Sequence, residues 1–176
     1  MEFIILTTLF IITTNKLASI YAHEKSLLIK EPYKALPDIL HNILPVIHVN
    51  IPDYLLLLLF LQFMFTYTGE YNYEPLLYSL LLRPLFVIST TLPTCMKCID
   101  HKELSYYNQL FVSSHDLIYS GHTLFFLFFG KSYGGNIGLT IQYIMPISLI
   151  SSRQHYTIDV LVSFIVYNYF EIYSMK

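Results

Sequence analysis

Tyr54-Leu55-Leu56-Leu57-Leu58-Leu59-Phe60-Leu61-Gln62-Phe63-Met64-Phe65-Thr66-Tyr67 is a run of leucine and phenylalanine broken by one amide, Gln62, and by no charge. An element that is apolar on every side has no face to turn to water, so it belongs in a membrane or inside a large core. Five further apolar stretches surround it. They are Phe3–Ile12 (resuming past Thr13-Thr14-Asn15-Lys16 to Ala22), Leu76–Leu92, Leu117–Phe129, Ile137–Ile150 and Tyr156–Tyr173. The 176-residue chain is 55% hydrophobic and only 12% charged, with a mean hydropathy of +0.52. A soluble domain carries about 25% charged residues. Sixteen Tyr and thirteen Phe suit an integral membrane protein with interfacial aromatics, although Trp is absent. The expected fold is all-α, a polytopic membrane protein with a bundle of about six transmembrane helices. Helices are required because lipid offers the backbone no partner, and no alternating pattern marks a barrel. Several stretches fall short of the ~20 residues that span a typical hydrocarbon core. The helices therefore extend into their polar flanks, or the host bilayer is thin.

The expected organisation is a first transmembrane helix and loop over 1–35, then one helical bundle over 36–176. A signal peptide ending near Ala22 is the competing reading of the first stretch, and the missing basic n-region counts against it. A formal net charge of −2 and the lack of any basic run give no footprint for nucleic acid. Cys95 and Cys98 form a single C-x-x-C followed by His101. Zinc needs four ligands, and no second C-x-x-C completes a site, so no metal and no cofactor are expected.

The chemistry sits at two helix starts, Ser120-Gly121-His122-Thr123 and His155-Tyr156-Thr157-Ile158-Asp159. Imidazoles and a carboxylate are costly at the head of a membrane helix, which invites a chemical explanation. The plain alternative is that they are ordinary helix-end residues at the lipid–water boundary. His155 and Asp159 are four apart, so they share a helix face on which the carboxylate can hold the imidazole in one tautomer. Six crossings put the loops after the third and fifth helices on one side of the membrane, which brings His122 and His155 to a common surface. Arg153 stands two residues ahead of His155. Arg83 lies inside the third stretch, where a cation faces the bundle interior or snorkels to an interface.

Asp116-Leu117-Ile118-Tyr119-Ser120-Gly121-His122-Thr123 resembles the third motif of the sphingomyelin synthases, Asp-x-x-(Phe/Tyr)-Ser-Gly-His-Thr. Arg153-Gln154-His155-Tyr156-Thr157-Ile158-Asp159-Val160 resembles their fourth, built on His-Tyr-Thr-x-Asp-Val. Leu36-Pro37-Asp38 is similar to their Pro-Leu-Pro-Asp motif, and Arg83 with Thr90-Thr91-Leu92-Pro93 to the motif ending the third helix. The four occur in the family's order over residues 36–173. The family lies within the lipid phosphatase/phosphotransferase superfamily. Two departures bear on substrate: Ser114-His115 replaces the usual Cys-Gly, and Leu76 stands where the phosphatase pattern Lys-x6-Arg-Pro has its lysine.

The resemblance implies a ceramide phosphotransferase. Phosphocholine or phosphoethanolamine would move from phosphatidylcholine or phosphatidylethanolamine to ceramide, with release of diacylglycerol. His155 would be the nucleophile, Asp159 its orienter, and His122 the acid and base. Histidine suits both tasks because it titrates near neutrality. Arg153, Ser120, Gly121, Asp116 and Arg83 are the candidate phosphate- and substrate-binding residues, since phosphoryl transfer depends on positioning and on positive charge around the equatorial oxygens. Tyr156 and Thr157 favour the transferase over a lipid phosphate phosphatase, in which water would replace the ceramide hydroxyl. A non-catalytic lipid-binding protein on the same scaffold is the third reading, against which the intact His122, His155 and Asp159 argue. His23, His41, His48, His101 and His115 are read as loop or interfacial residues. The resemblance and the short helices point to an endomembrane, the endoplasmic reticulum or Golgi, with the plasma membrane as the alternative.

Overall fold

Ser120 begins the helix at the centre of the molecule, its hydroxyl accepting the Thr123 N–H at 3.2 Å. The computed structural model describes residues 2–27, 36–66, 71–90 and 118–175, which form eight helices and no strand. They are α1 (Glu2–Leu27), α2 (Ile39–Ile43), α3 (Ile51–Thr66), α4 (Glu74–Ser89), α5 (Gly121–Tyr133), α6 (Gly135–Tyr143), α7 (Met145–Ser151) and α8 (Thr157–Ser174). The fold is all-α, as expected. Helix α5 buries Thr123, Leu124 and Phe126 to Gly130, and packs against α3, α4, α6, α7 and α8. Helix α1 packs on α4 through Ala18, Ala22 and Val87. Among the described residues no helix is long and apolar enough to cross a membrane.

The helix boundaries differ from the apolar stretches for local reasons. Thr13-Thr14-Asn15-Lys16 does not break α1, because Thr14 Oγ1 and Asn15 Nδ2 donate back to the carbonyls of Phe10 and Ile11, both at 2.9 Å. The stretch Ile137–Ile150 becomes two helices that meet at Ile144. Pro146 lies in the first turn of α7, where its missing N–H costs nothing. Between α5 and α6 the backbones almost touch. A Cβ on Gly130 would lie 2.7 Å from the Gly138 carbonyl oxygen, so both positions need glycine for this approach.

Around this apolar core, helices α3, α4 and α8 turn large apolar side chains outward. On α4 the buried line is Pro75, Ser79, Arg83 and Val87, while Tyr78, Leu81, Leu85 and Ile88 are exposed. Helix α8 buries Asp159 and Ser163 and exposes Leu161, Ile165, Tyr169 and Ile172. Helix α3 exposes Leu57, Leu58, Phe60, Leu61, Met64 and Phe65.

Candidate active site

The two histidine motifs meet. Helices α5 and α8 run from the same end of the bundle, stitched where Ser163 Oγ donates to the carbonyls of Ser120, at 3.2 Å, and of Asp159, at 2.8 Å. Asp159 lies in the first turn of α8, where its charge complements the helix dipole. It is fully buried, and its Oδ2 accepts the Tyr156 N–H at 2.8 Å. The same oxygen lies 3.4 Å from His155 Nδ1. A proton held on Nδ1 by this carboxylate leaves the lone pair on Nε2, the tautomer a nucleophile needs. That distance is long for a charge-assisted hydrogen bond and marks the pair as an ion-pair contact.

His122 is held by a carboxylate that sequence reasoning missed. Its Nε2 lies 2.8 Å from Asp53 Oδ1. The other oxygen, Asp53 Oδ2, accepts from Gln154 Nε2 at 3.1 Å. Gln154 precedes His155, so one carboxylate joins the two motifs. The signal was present: Ile51-Pro52-Asp53 puts an acid in the first turn of an apolar helix, as Asp159 does in α8. Counting the apolar run from Tyr54 left Asp53 outside it.

Residues 36–49 lie as a strap across the loop that carries His155. The Leu36 N–H donates to Tyr156 Oη at 2.9 Å. Asp38 caps α2 and also accepts the Thr157 N–H at 2.6 Å and the Thr157 hydroxyl at 2.7 Å. His41 Nε2 bonds the His155 carbonyl at 3.1 Å, and its ring stacks on Tyr156. His41 therefore supports the loop, a role sequence reasoning did not assign it. Tyr156 and Thr157, whose presence favours the transferase in the resemblance, use their hydroxyls on the strap. The first and fourth motifs of the resemblance are thus bonded to each other.

Arg153 adopts a left-handed φ of +61° and donates to the carbonyls of His41, of Leu44 at 3.3 Å and of Ile150 at 3.1 Å. Tyr119 has a φ of +80° and stacks on Phe86. Among the described residues these are the two non-glycine positions with positive φ, each costing about 1–3 kcal/mol; Tyr119 directly precedes Ser120, and Arg153 lies two residues ahead of His155. Arg83 is buried and donates Nε to the Tyr119 carbonyl at 3.0 Å, against the Ser120-Gly121 turn. Asp116, Cys95, Cys98, His101, His115 and Thr91 to Pro93 lie outside the described residues.

Burial alone would raise the Asp38 carboxyl. The Thr157 hydroxyl and N–H, the His41 N–H and the His41 charge outweigh it and hold the group below its ordinary 3.8. A depressed carboxyl stabilises the fold fully above its unfolded value and loses that contribution as pH falls through the folded one. Asp38→Ala, which removes a cap, is expected to cost about 0.5–2 kcal/mol at neutral pH. In thermal unfolding the gap between wild type and variant should close below about pH 4. A gap that persists at lower pH would contradict the role given to the carboxylate.

Residues 114–175 match the family model described as PAP2 superfamily C-terminal. That span carries His122, Gln154, His155 and Asp159, and it supports a lipid phosphatase/phosphotransferase type of activity without singling out the sphingomyelin synthases. No curated protein and no solved structure matches the chain.

Proposed function

We propose that the chain is an integral-membrane phosphotransferase that moves phosphocholine or phosphoethanolamine from a glycerophospholipid to ceramide and releases diacylglycerol. The observation that carries this reading is the convergence of His155–Asp159 and His122–Asp53 through Gln154. His155 Nε2 attacks phosphorus as the bond to the diacylglycerol oxygen breaks, and His122 protonates that oxygen. The result is a phosphohistidine that still carries the choline or ethanolamine ester, the diacylglycerol ester having been broken. His122 then takes the proton of the ceramide primary hydroxyl, whose oxygen attacks phosphorus and restores His155. The start of α5, capped by Ser120, and the Arg83 guanidinium stand ready for the phosphoryl oxygens.

The large apolar side chains that face outward support a bilayer setting, with Ser79, Arg83, Asp159 and Ser163 buried. The endoplasmic reticulum, Golgi or plasma membrane is the proposed location. A lipid phosphate phosphatase is the second reading. It is favoured by the engagement of Tyr156 and Thr157 with the strap, which removes the side chains expected to mark a ceramide site.

The test uses purified protein in mixed micelles with fluorescent ceramide and either phosphatidylcholine or phosphatidylethanolamine, beside His155→Ala. A phospho-ceramide absent from the variant supports the transferase and names its head group. Free phosphate released from a lipid phosphate, with ceramide untouched, replaces it with the phosphatase.

A further inference from the structure

Gln154 stands directly before His155 in the turn that leads into α8, and its side chain reaches the start of α3. Its Nε2 donates to the Val49 carbonyl at 2.7 Å and to Asp53 Oδ2 at 3.1 Å. The amide orientation is fixed, since a flip would set Oε1 against those two oxygens. Gln154 Oε1 is buried and has no partner among the described residues, so the side chain forgoes a hydrogen bond while both N–H groups stay on their acceptors. Asp53 Oδ1 in turn lies 2.8 Å from His122 Nε2. One chain of contacts therefore runs from the residue beside the nucleophile to the acid and base.

We infer that Gln154 is a positioning residue that pins the Asp53 carboxylate on His122, which keeps the acid and base in register with the His155 nucleophile. The inference rests on the phosphoryl-transfer reading above. With Nε2 on the carboxylate, the proton that His122 hands over is the one on Nδ1. It passes to the departing diacylglycerol oxygen as the bond from that oxygen to phosphorus breaks, and leaves His122 neutral. Asp53 is half-exposed, so its carboxylate is free to swing toward water unless a second bond holds it. The Gln154 N–H on Oδ2 is that bond, and it removes a rotation that would carry His122 out of line. An amide suits the task because one nitrogen supplies two donors, serving a carbonyl and a carboxylate at once. Val49 and Asp53 lie outside the matched span 114–175, and Gln154 ties them to it.

Gln154→Met keeps the length of the side chain, removes both donors together with the orphaned oxygen, and sets no charge against any acceptor. It is compared, as full-length protein in mixed micelles, with wild type, Asp53→Asn and the double variant. The donors are a natural phospholipid and one with a p-nitrophenyl leaving group, which departs without a proton. Gln154→Met is expected to lower kcat for the natural donor about tenfold, with KM and the first-turnover nitrophenolate burst each within about twofold of wild type. In the Asp53→Asn background the same change is expected to cost less than about twofold, because the carboxylate it acts through is gone. The bond to Val49 is lost in both backgrounds and cancels, so the cycle reads the contact with Asp53 alone. A loss of equal size in both backgrounds overturns the inference and leaves Gln154 a fastener of the strap. Natural turnover within twofold of wild type also overturns it, as does a burst reduced as much as natural turnover, since the effect then falls on His155. If wild type frees phosphate from a lipid phosphate and leaves ceramide untouched, the transferase reading fails, and a non-additive cycle measured on that hydrolysis still upholds the role of Gln154. A wild type that turns over no donor overturns both.

Discussion

Asp159→Asn is expected to lower turnover by roughly 10⁴-fold, with little loss of fold. The substitution is nearly isosteric, and an asparagine oxygen can still accept the Tyr156 N–H that Oδ2 now takes at 2.8 Å. That same oxygen faces His155 Nδ1 at 3.4 Å, so the asparagine presents a neutral amide oxygen where the carboxylate stood. The positive charge that the imidazole takes on as Nε2 attacks phosphorus then loses its counter-charge. His155→Ala should be at least as inactive, because without the imidazole no covalent route exists. The measurement is a rapid quench with labelled donor, trapping the acid-labile, base-stable phosphohistidine in wild type and scoring its loss in both variants. Their unfolding temperatures should stay near wild type for Asp159→Asn. A labelled intermediate that survives in His155→Ala would assign the nucleophile elsewhere, and near-normal turnover of Asp159→Asn would remove the carboxylate from the mechanism.

The part of this site legible in the sequence was the part written in local spacing. His155 and Asp159 are four apart and do meet, but not as neighbours on one helix face: α8 begins at Thr157, so His155 lies in the turn before the helix and Asp159 in its first turn. The shared end for His122 and His155 followed from counting alternating stretches. The sequence placed Ser120 at a helix start, and the structure makes it the cap of α5. What was not legible lay across long separations. Asp53 reaches His122 over 69 residues and Gln154 over 101. Asp38 reaches Thr157 over 119, and Asn15 reaches Arg83 over 68. No periodicity encodes such pairings, because they depend on how whole helices dock. Arg153 shows the converse: its place two residues before His155 suggested phosphate, yet its guanidinium lies on backbone carbonyls that hold the strap. The left-handed Tyr119 and Arg153 carry no compositional mark, since neither is a glycine or asparagine.

Asp53→Asn separates leaving-group protonation from everything else the site does. Asp53 touches His122 Nε2 at 2.8 Å and is half-exposed, so its side chain can be changed without emptying a core position. The carboxylate fixes the ring and stabilises the imidazolium that donates a proton to the departing diacylglycerol oxygen. An alkoxide leaves poorly without that proton, and positioned general acids contribute about 10²–10⁴-fold. Asp53→Asn is therefore expected to lower kcat for a natural phospholipid donor by about 10²-fold, with KM near wild type. A donor carrying a p-nitrophenyl leaving group departs as a stable anion and needs no acid. The first-turnover burst of nitrophenolate should then be nearly equal in wild type and Asp53→Asn, while the slower acceptor step, which needs His122 as base, remains impaired. His122→Ala should show the same pattern more deeply, and His155→Ala should lose the burst altogether. A burst diminished in Asp53→Asn as much as turnover of the natural donor would mean that Asp53 acts on phosphate placement or on His155 through Gln154, and that the acid is set by another group.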